Sequence, residues 1–219
     1  MLKDGEKGAV LQRDKTTYAV APHIPCGVVT PEVLRKLADV AEKYGCSALK
    51  ITSAARIALV GLKEEDVDRV WADLGISPGH AVGLCVRSVK ACPGTTFCRL
   101  GQQDALGIGM KLDKIYHGME LPSKTKIGVS GCMNQCAETC IKDIGLVGTK
   151  KGWTVMVGGS GTGHPRLAQT LQEELSTEAA LALIAKTVGY YKQNAKKFER
   201  IGKMIDRIGF DALREALLA

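Results

Sequence analysis

"GVSGCMNQCAETCIKDIGLVG", from Gly128 to Gly148, carries Cys132, Cys136 and Cys140 at four-residue steps, and upstream "CPGTTFC" sets Cys92 and Cys98 six positions apart. Both stretches are rich in Gly, Pro, Thr and Asn, so their backbone amides are free to turn inward. Two such loops converging would supply four thiolates, Cys92, Cys98, Cys132 and Cys136, together with amide donors toward inorganic sulfur. Four-cysteine cluster binding is therefore the leading geometric reading. A zinc site is the alternative, although zinc usually takes closer cysteine pairs than the six-position step allows. Packing as buried apolar side chains accounts for any one cysteine taken singly.

Composition narrows the setting. The chain has 219 residues, 45% of them hydrophobic, enough for one large domain or two small ones with an ordinary core. No run approaches the roughly 20 apolar residues of a membrane helix. The opening "MLKDGEKGAVLQRDK" lacks the apolar stretch of a signal peptide, so a cytoplasmic protein without membrane association is expected. Eight cysteines are too few for a disulfide scaffold, and clustered thiols in a reducing compartment point to metal or redox chemistry. The net charge of +7 suggests an anionic partner. With aromatics at 5% and no basic run interleaved with them, a stacking platform for nucleic acid is not expected.

Outward from the cysteines, the first part of the chain reads as a small α+β unit. "TTYAVAP" has the look of a strand. In "TPEVLRKLADVAEKYG", Thr30 can cap and Pro31 suits the first helical position, while Val33, Leu34, Leu37, Ala41 and Tyr44 form one apolar face. "SALKITS" and "IALVGL" read as strands joined by "AAR", and "KEEDVDRVWADLG" as a second helix. The Gly- and Pro-rich "GISPGHAVG" suggests a boundary, giving domains over 1–78 and 79–219. Beyond it a helix is expected over 101–117, strands at "KIGVS" and "WTVMV", and helix from Ser176 onward, interrupted at Gly189, Gly202 and Gly209. "GGSGTGHPR" is neither a Walker loop nor a dinucleotide fingerprint. It is read as joining a strand to a helix, with amides able to cradle carboxylates or phosphates, or as a plain glycine turn.

The ordered motifs resemble those of the sirohaem and 4Fe-4S sulfite and nitrite reductases: C-x5-C, then "SGCMNQC", "DIGLVG", "VGGSGTGHPRLA" and "ERIGKMIDRIG". "PCGVVTPEVLRKLADVAEKYG" with "LKITSAARIALVGL" resembles the family's ferredoxin-like half-domain, and 85 to about 208 its catalytic half. The chain carries one copy of each half and most resembles the small, low-molecular-weight sulfite reductases. The resemblance implies an α+β fold in which a ferredoxin-like half-domain precedes a cofactor-binding half with C-terminal helices.

It also implies roles. Cys92, Cys98, Cys132 and Cys136 would hold the 4Fe-4S cluster, and Cys136 would be the axial ligand of the sirohaem iron as well. Arg56, Arg87, Lys124 and Lys126 match the cations that bind a small oxyanion, sulfite or nitrite, and supply its protons. The two-residue spacing of Lys124 and Lys126 sets both ammonium groups on one face of a strand. Arg166 and the amides around Gly159 are candidates for the sirohaem carboxylates. The positive balance suits an acidic electron donor such as a ferredoxin. Sulfite reduction is the leading activity, nitrite reduction the nearest alternative, and a cluster-only electron-transfer module a third reading. A chain this small is compatible with a monomer, the oligomeric state being left open. His23, His80, His117 and His164 fall outside the matched motifs, and Cys26, Cys46 and Cys85 are read as packing residues. Cys140 lies outside the four-ligand pattern. With "CAETC" continued as helix, it would sit one turn beyond Cys136 on nearly the same face.

Overall fold

The structure is a computed structural model describing residues 1–219. It divides into two compact units, Met1–Gly83 and Leu84–Ala219.

The first unit holds β1 (Ala9–Leu11), β2 (Tyr18–Val20), α1 (Pro31–Lys43), β3 (Ala48–Ile51), β4 (Ile57–Leu62) and α2 (Val67–Leu74). Its strands form an antiparallel sheet in the order β1-β2-β4-β3. Thr30 caps α1 by accepting the Val33 amide, with Pro31 at the first helical position. Leu37, Val40 and Ala41 from α1 pack with Val67, Val70 and Leu74 against Tyr18, Val20, Leu59 and Leu62 of the sheet. The glycine- and proline-rich segment is tied to this unit. The His23 amide donates to the Ser77 carbonyl and the Gly79 amide to that of Ala21, both in ordinary hydrogen bonds.

The second unit is built on a five-stranded sheet in simple sequential order: β5 (Val86–Ala91), β6 (Thr125–Ser130), β7 (Ile144–Thr149), β8 (Gly152–Val157) and β9 (Gln169–Leu175). The first three strands are parallel and the last two antiparallel. One helical turn, α3 (Gly94–Phe97), follows β5 through the first cysteine. Then comes α4 (Ala105–Tyr116), capped where Asp104 accepts the Gly107 amide at 2.9 Å. Three helices close the chain: α5 (Thr177–Asn194), capped by Ser176, α6 (Ile201–Ile208) and α7 (Phe210–Leu218). Ile127, Val129, Ile144, Leu146, Trp153, Val155 and Leu171 form the buried centre of the sheet. No helix is long and apolar enough to cross a membrane.

Three local expectations are corrected. The segment after "GGSGTGHPR" is strand β9, which pairs with β8 and buries Leu171 and Leu175 on one face. Their four-residue spacing imitates a helical stripe. The C-terminal helices break at Gly209 as expected but run through Gly189 and Gly202, their other break falling at 195–200, before α6. "CAETC" is not helical: Gln135 and Glu138 take left-handed backbone angles, with φ of 50° and 57°, and only a single tight turn over Thr139–Ile141 follows.

Candidate functional site

The two cysteine loops leave the ends of adjacent parallel strands, β5 and β6, and are stitched together by their backbones. The Cys92 amide donates to the Val129 carbonyl at 3.0 Å, and the Gln102 and Gln103 amides both donate to that of Gly131, at 2.8 and 3.1 Å. The Gly131 amide in turn donates to the Cys92 sulfur at 3.1 Å. Glycine permits this closeness. A Cβ on Gly131 would fall 2.7 Å from the Gln103 carbonyl oxygen and 2.8 Å from the Gly94 Cα, and one on Gly101 would fall 2.5 Å from the Gly94 carbonyl carbon. Cys92, Cys98 and Cys132 are half-buried and Cys136 is exposed, so none of the four residues is sealed in the core. No three His, Cys, Asp or Glu side chains converge as on a single metal ion. Thiolates that each take a different iron of a cluster have no need to do so.

Beside these loops lies a cationic surface. Lys124 and Lys126 are both half-buried, while Ser123, Thr125 and Ile127 between and beside them are buried, as a two-residue period requires. Ser88 pairs with Lys126 and Lys90 with Gly128, so Lys90 and Lys126 rise from the same sheet face. The chain from Ala137 to Lys142 crosses that face where glycines leave room. A Cβ on Gly128 would meet the Lys142 side chain at 2.8 Å, and one on Gly145 the Thr139 carbonyl at 2.6 Å. Glu138 accepts from Lys90 at 3.0 Å and from Lys142 at 2.8 Å, and hydrogen bonding to those two ammonium groups holds its carboxyl down at about 2. Lys126 makes no such ion pair. Burial lowers its proton affinity from that of an ordinary lysine, as do the nearby Lys142 and Arg200 cations and, more weakly, Lys124; Asp143 opposes them.

Asp143, wholly buried, accepts the Lys126 amide at 2.8 Å and both Nε and Nη2 of Arg200, at 2.8 and 2.6 Å. The remaining fork of Arg200 donates to Ser160 Oγ at 2.8 Å. Lys90, Glu138, Lys142, Asp143 and Arg200 were not singled out by the sequence. Asp143 lies in the "DIGLVG" motif and Arg200 in "ERIGKMIDRIG", which are their only sequence signals.

The other predicted residues are distributed more widely. Arg87 sits where the β5–β6 pairing is irregular, half-buried. Arg166 is engaged by Asp206 through an ion pair and by Gln169 at 2.8 Å. It borders a cavity of about 370 Å³ with Gly159, Ser160, His164, Arg200 and Lys203. The loop from Ser160 to Arg166 is closed by reciprocal backbone bonds of 2.9 Å. Cys140 contributes through its backbone, its carbonyl accepting the Ala168 amide at 2.7 Å. In the first unit, Arg56 is 4% exposed at the end of the β3–β4 hairpin, with His80 and His23 near; burial, then the Arg56 charge and then His23, lower the proton affinity of His80.

A family model described as the nitrite and sulphite reductase 4Fe-4S domain matches residues 82–219, and one for the nitrite/sulfite reductase ferredoxin-like half domain matches 10–75. Over 217 residues the chain is 49% identical to an assimilatory-type sulfite reductase of Nitratidesulfovibrio vulgaris, covering 99% of this chain and 100% of that one. It is 39% identical to an NAD(P)H nitrite reductase of Bacillus subtilis over 95% of this chain, but spans only 26% of that longer protein. Among solved structures, dissimilatory sulfite reductase I superposes with a TM-score of 0.82 at 15% identity, covering 93% of this chain and 69% of that one. The NirA protein of Mycobacterium tuberculosis gives 0.78 at 19% identity, covering 99% and 43%. At these identities the structural likeness is one of fold.

Proposed function

Since the chain belongs to the nitrite and sulphite reductase family, we propose that it reduces sulfite to sulfide, taking up six electrons and seven protons and releasing three waters. The observation that carries this reading is the pair of cysteine loops joined at glycines, with the Gly131 amide already turned to the Cys92 sulfur. Such a cradle fits a 4Fe-4S cluster, which needs thiolates and amide donors in close backbone, and a Cβ at Gly131 would part the loops by meeting the Gln103 carbonyl and the Gly94 Cα. Cys92, Cys98, Cys132 and Cys136 are its proposed ligands, with Cys136 also holding the sirohaem iron. When bound, this cofactor pair supplies single electrons in succession to one substrate.

The chain's own task is to bind a small oxyanion and deliver protons as its oxygens leave as water. Lys126 suits both: its ammonium is unpaired, and its lowered proton affinity favours giving up a proton. Lys124 and Arg87 are proposed as further cationic contacts, and Arg56 keeps the role that the resemblance gives it. Lys90 and Lys142 are already engaged by Glu138 and are less suited to holding substrate. For the sirohaem carboxylates we keep Arg166 and the amides about Gly159, beside a cavity whose other cations are Arg200 and Lys203. Electrons are proposed to come from an acidic donor protein such as a ferredoxin, suited to the +7 charge.

Sulfite is preferred over nitrite because the relative named above that matches this chain end to end is a sulfite reductase, whereas the nitrite reductase is matched over a fraction of its length. The test is to purify the protein anaerobically from a sirohaem-competent host, record its visible spectrum, and assay it with a reduced dye and either anion. Absence of sirohaem bands would defeat the proposal. Turnover of nitrite well above that of sulfite would transfer it to the second substrate.

A further inference from the structure

Asp143 and Arg200 form a charge couple whose position suggests more than support for the fold. Asp143 stands at the start of β7 and accepts three N–H groups, one of which is the main-chain amide of Lys126 on the neighbouring strand. Its carbonyl accepts the Gly158 amide at 2.8 Å. Arg200, just before α6, reaches back to both Asp143 oxygens and spends its last fork on Ser160 in the glycine loop. One buried carboxylate thus ties together the strand of Lys126, the glycine loop and the C-terminal helices. Burial pushes the Asp143 carboxyl up, against the pull of Arg200 and the Lys126 amide. Because every group facing the carboxylate is a donor and one is a guanidinium, the ionised form is the one that satisfies them.

The couple also shapes the electrostatics at Lys126. The charged groups that act on its ammonium are Lys142, Arg200 and Lys124, all cationic, and Asp143, the only anion among them. A bare Arg200 at that position would add to the repulsion, so Asp143 both anchors the lysine's backbone and offsets the cation that holds it.

From this geometry we infer that Asp143 and Arg200 are positioning residues for Lys126, fixing where its ammonium stands and how readily it gives up a proton during oxyanion reduction. The inference rests on the reading of Lys126 given above. A bidentate fork is needed: a lysine at 200 keeps the charge but cannot hold both carboxylate oxygens in one plane and reach Ser160 as well.

The experiment combines a double-mutant cycle with a measurement that does not depend on turnover. In the holoenzyme, turnover of sulfite is measured for Asp143→Asn, Arg200→Lys, Lys126→Ala and each pair containing Lys126→Ala. Lys126 is also acylated with an amine-reactive reagent across a pH series and its labelling midpoint read by mass spectrometry. Asp143→Asn is expected to slow turnover on the order of 10- to 100-fold, the scale of a misplaced group. It should cost nothing further once Lys126 is alanine, and should move the labelling midpoint to lower pH. Arg200→Lys, which keeps the charge, should slow turnover with little movement of the midpoint. A full multiplicative loss in the Lys126→Ala background, or an unmoved midpoint in Asp143→Asn, overturns the inference. Lys126→Ala with wild-type turnover would instead defeat the catalytic reading of Lys126, leaving the midpoint to decide whether Asp143 governs its charge. Should Asp143→Asn not yield folded holoenzyme, the cycle with Arg200→Lys decides, a multiplicative loss again counting against it.

Discussion

The backbone amide of Gly131 donates to the sulfur of Cys92 across 3.1 Å, joining the two cysteine loops where the Gly131 carbonyl also accepts the Gln102 and Gln103 amides. The angle φ at Gly131 is ordinary, so the requirement for glycine there is one of space. Gly131→Ala would force a methyl group against the Gln103 carbonyl and the Gly94 Cα, at 2.7 and 2.8 Å. We expect a destabilisation of about 1–3 kcal/mol, typical of overpacking. The loops should part enough for iron and acid-labile sulfide to fall well below the wild-type content while circular dichroism stays near native. Full cluster content in Gly131→Ala would show that the loops can relax.

Cys140 stands apart from the four proposed ligands in what the fold asks of it. The residues before it bend through left-handed angles at Gln135 and Glu138, and its carbonyl, not its sulfur, carries the local structure by accepting the Ala168 amide. Cys140→Ser should therefore keep the full iron content and spectrum, whereas Cys136→Ser should lose both. Iron loss in Cys140→Ser would mean that the four ligands are wrongly chosen.

The C-terminal helices are fastened by Glu199, which receives Nε and Nη2 of Arg207 at 2.8 Å each and the Lys196 amide at 2.8 Å. Hydrogen bonding to Arg207 holds the Glu199 carboxyl down at about 2, against 4.5 for an ordinary glutamate. Because the folded state binds this proton less tightly than the unfolded chain, its contribution is complete above pH 4.5 and fades as pH falls toward 2. Solvent around Arg207 screens the pair and keeps its contribution small. Glu199→Gln should lower the melting temperature at neutral pH, and the gap from wild type should close on acidification; a gap constant with pH would contradict this.

What could be read from the sequence follows from how local the physics is. The cysteine pairs announce themselves because their spacing and loop-forming neighbours lie within a few residues, and α1 because Thr30, Pro31 and its apolar stripe are contiguous. Strand β9 was hidden: a four-residue interval sets Leu171 and Leu175 on one face of a strand as well as of a helix, and only the pairing with β8 decides between the two. Strands β5 and β7 were masked by their motifs, read for cysteines and glycines rather than for extended backbone. Asp143 and Arg200 lie 57 residues apart, so no local pattern distinguishes that arginine from the other basic residues among 30. The lysine pair was legible as a period of two, but the crowding of Lys126 by Lys142 depends on a loop crossing the sheet at Gly128 and Gly145.

That crowding makes the alkaline side of the pH profile informative. Lys126 loses its proton below the ordinary lysine value of 10.5, chiefly through burial and then through Lys142 and Arg200. Since the ammonium is the form that binds an oxyanion and donates a proton, activity should fall as pH rises through that lowered midpoint, and recover fully on returning to neutral. Lys126→Arg keeps a cation that does not titrate in this range, so its profile should lose the alkaline fall while its rate drops, because a guanidinium is a poor proton donor. Lys126→Ala should lose roughly 10²- to 10⁴-fold in turnover, the span of a positioned acid, with both cofactors still bound. An alkaline limb that persists unchanged in Lys126→Arg would assign it to another group, and wild-type turnover in Lys126→Ala would remove the residue from the reaction.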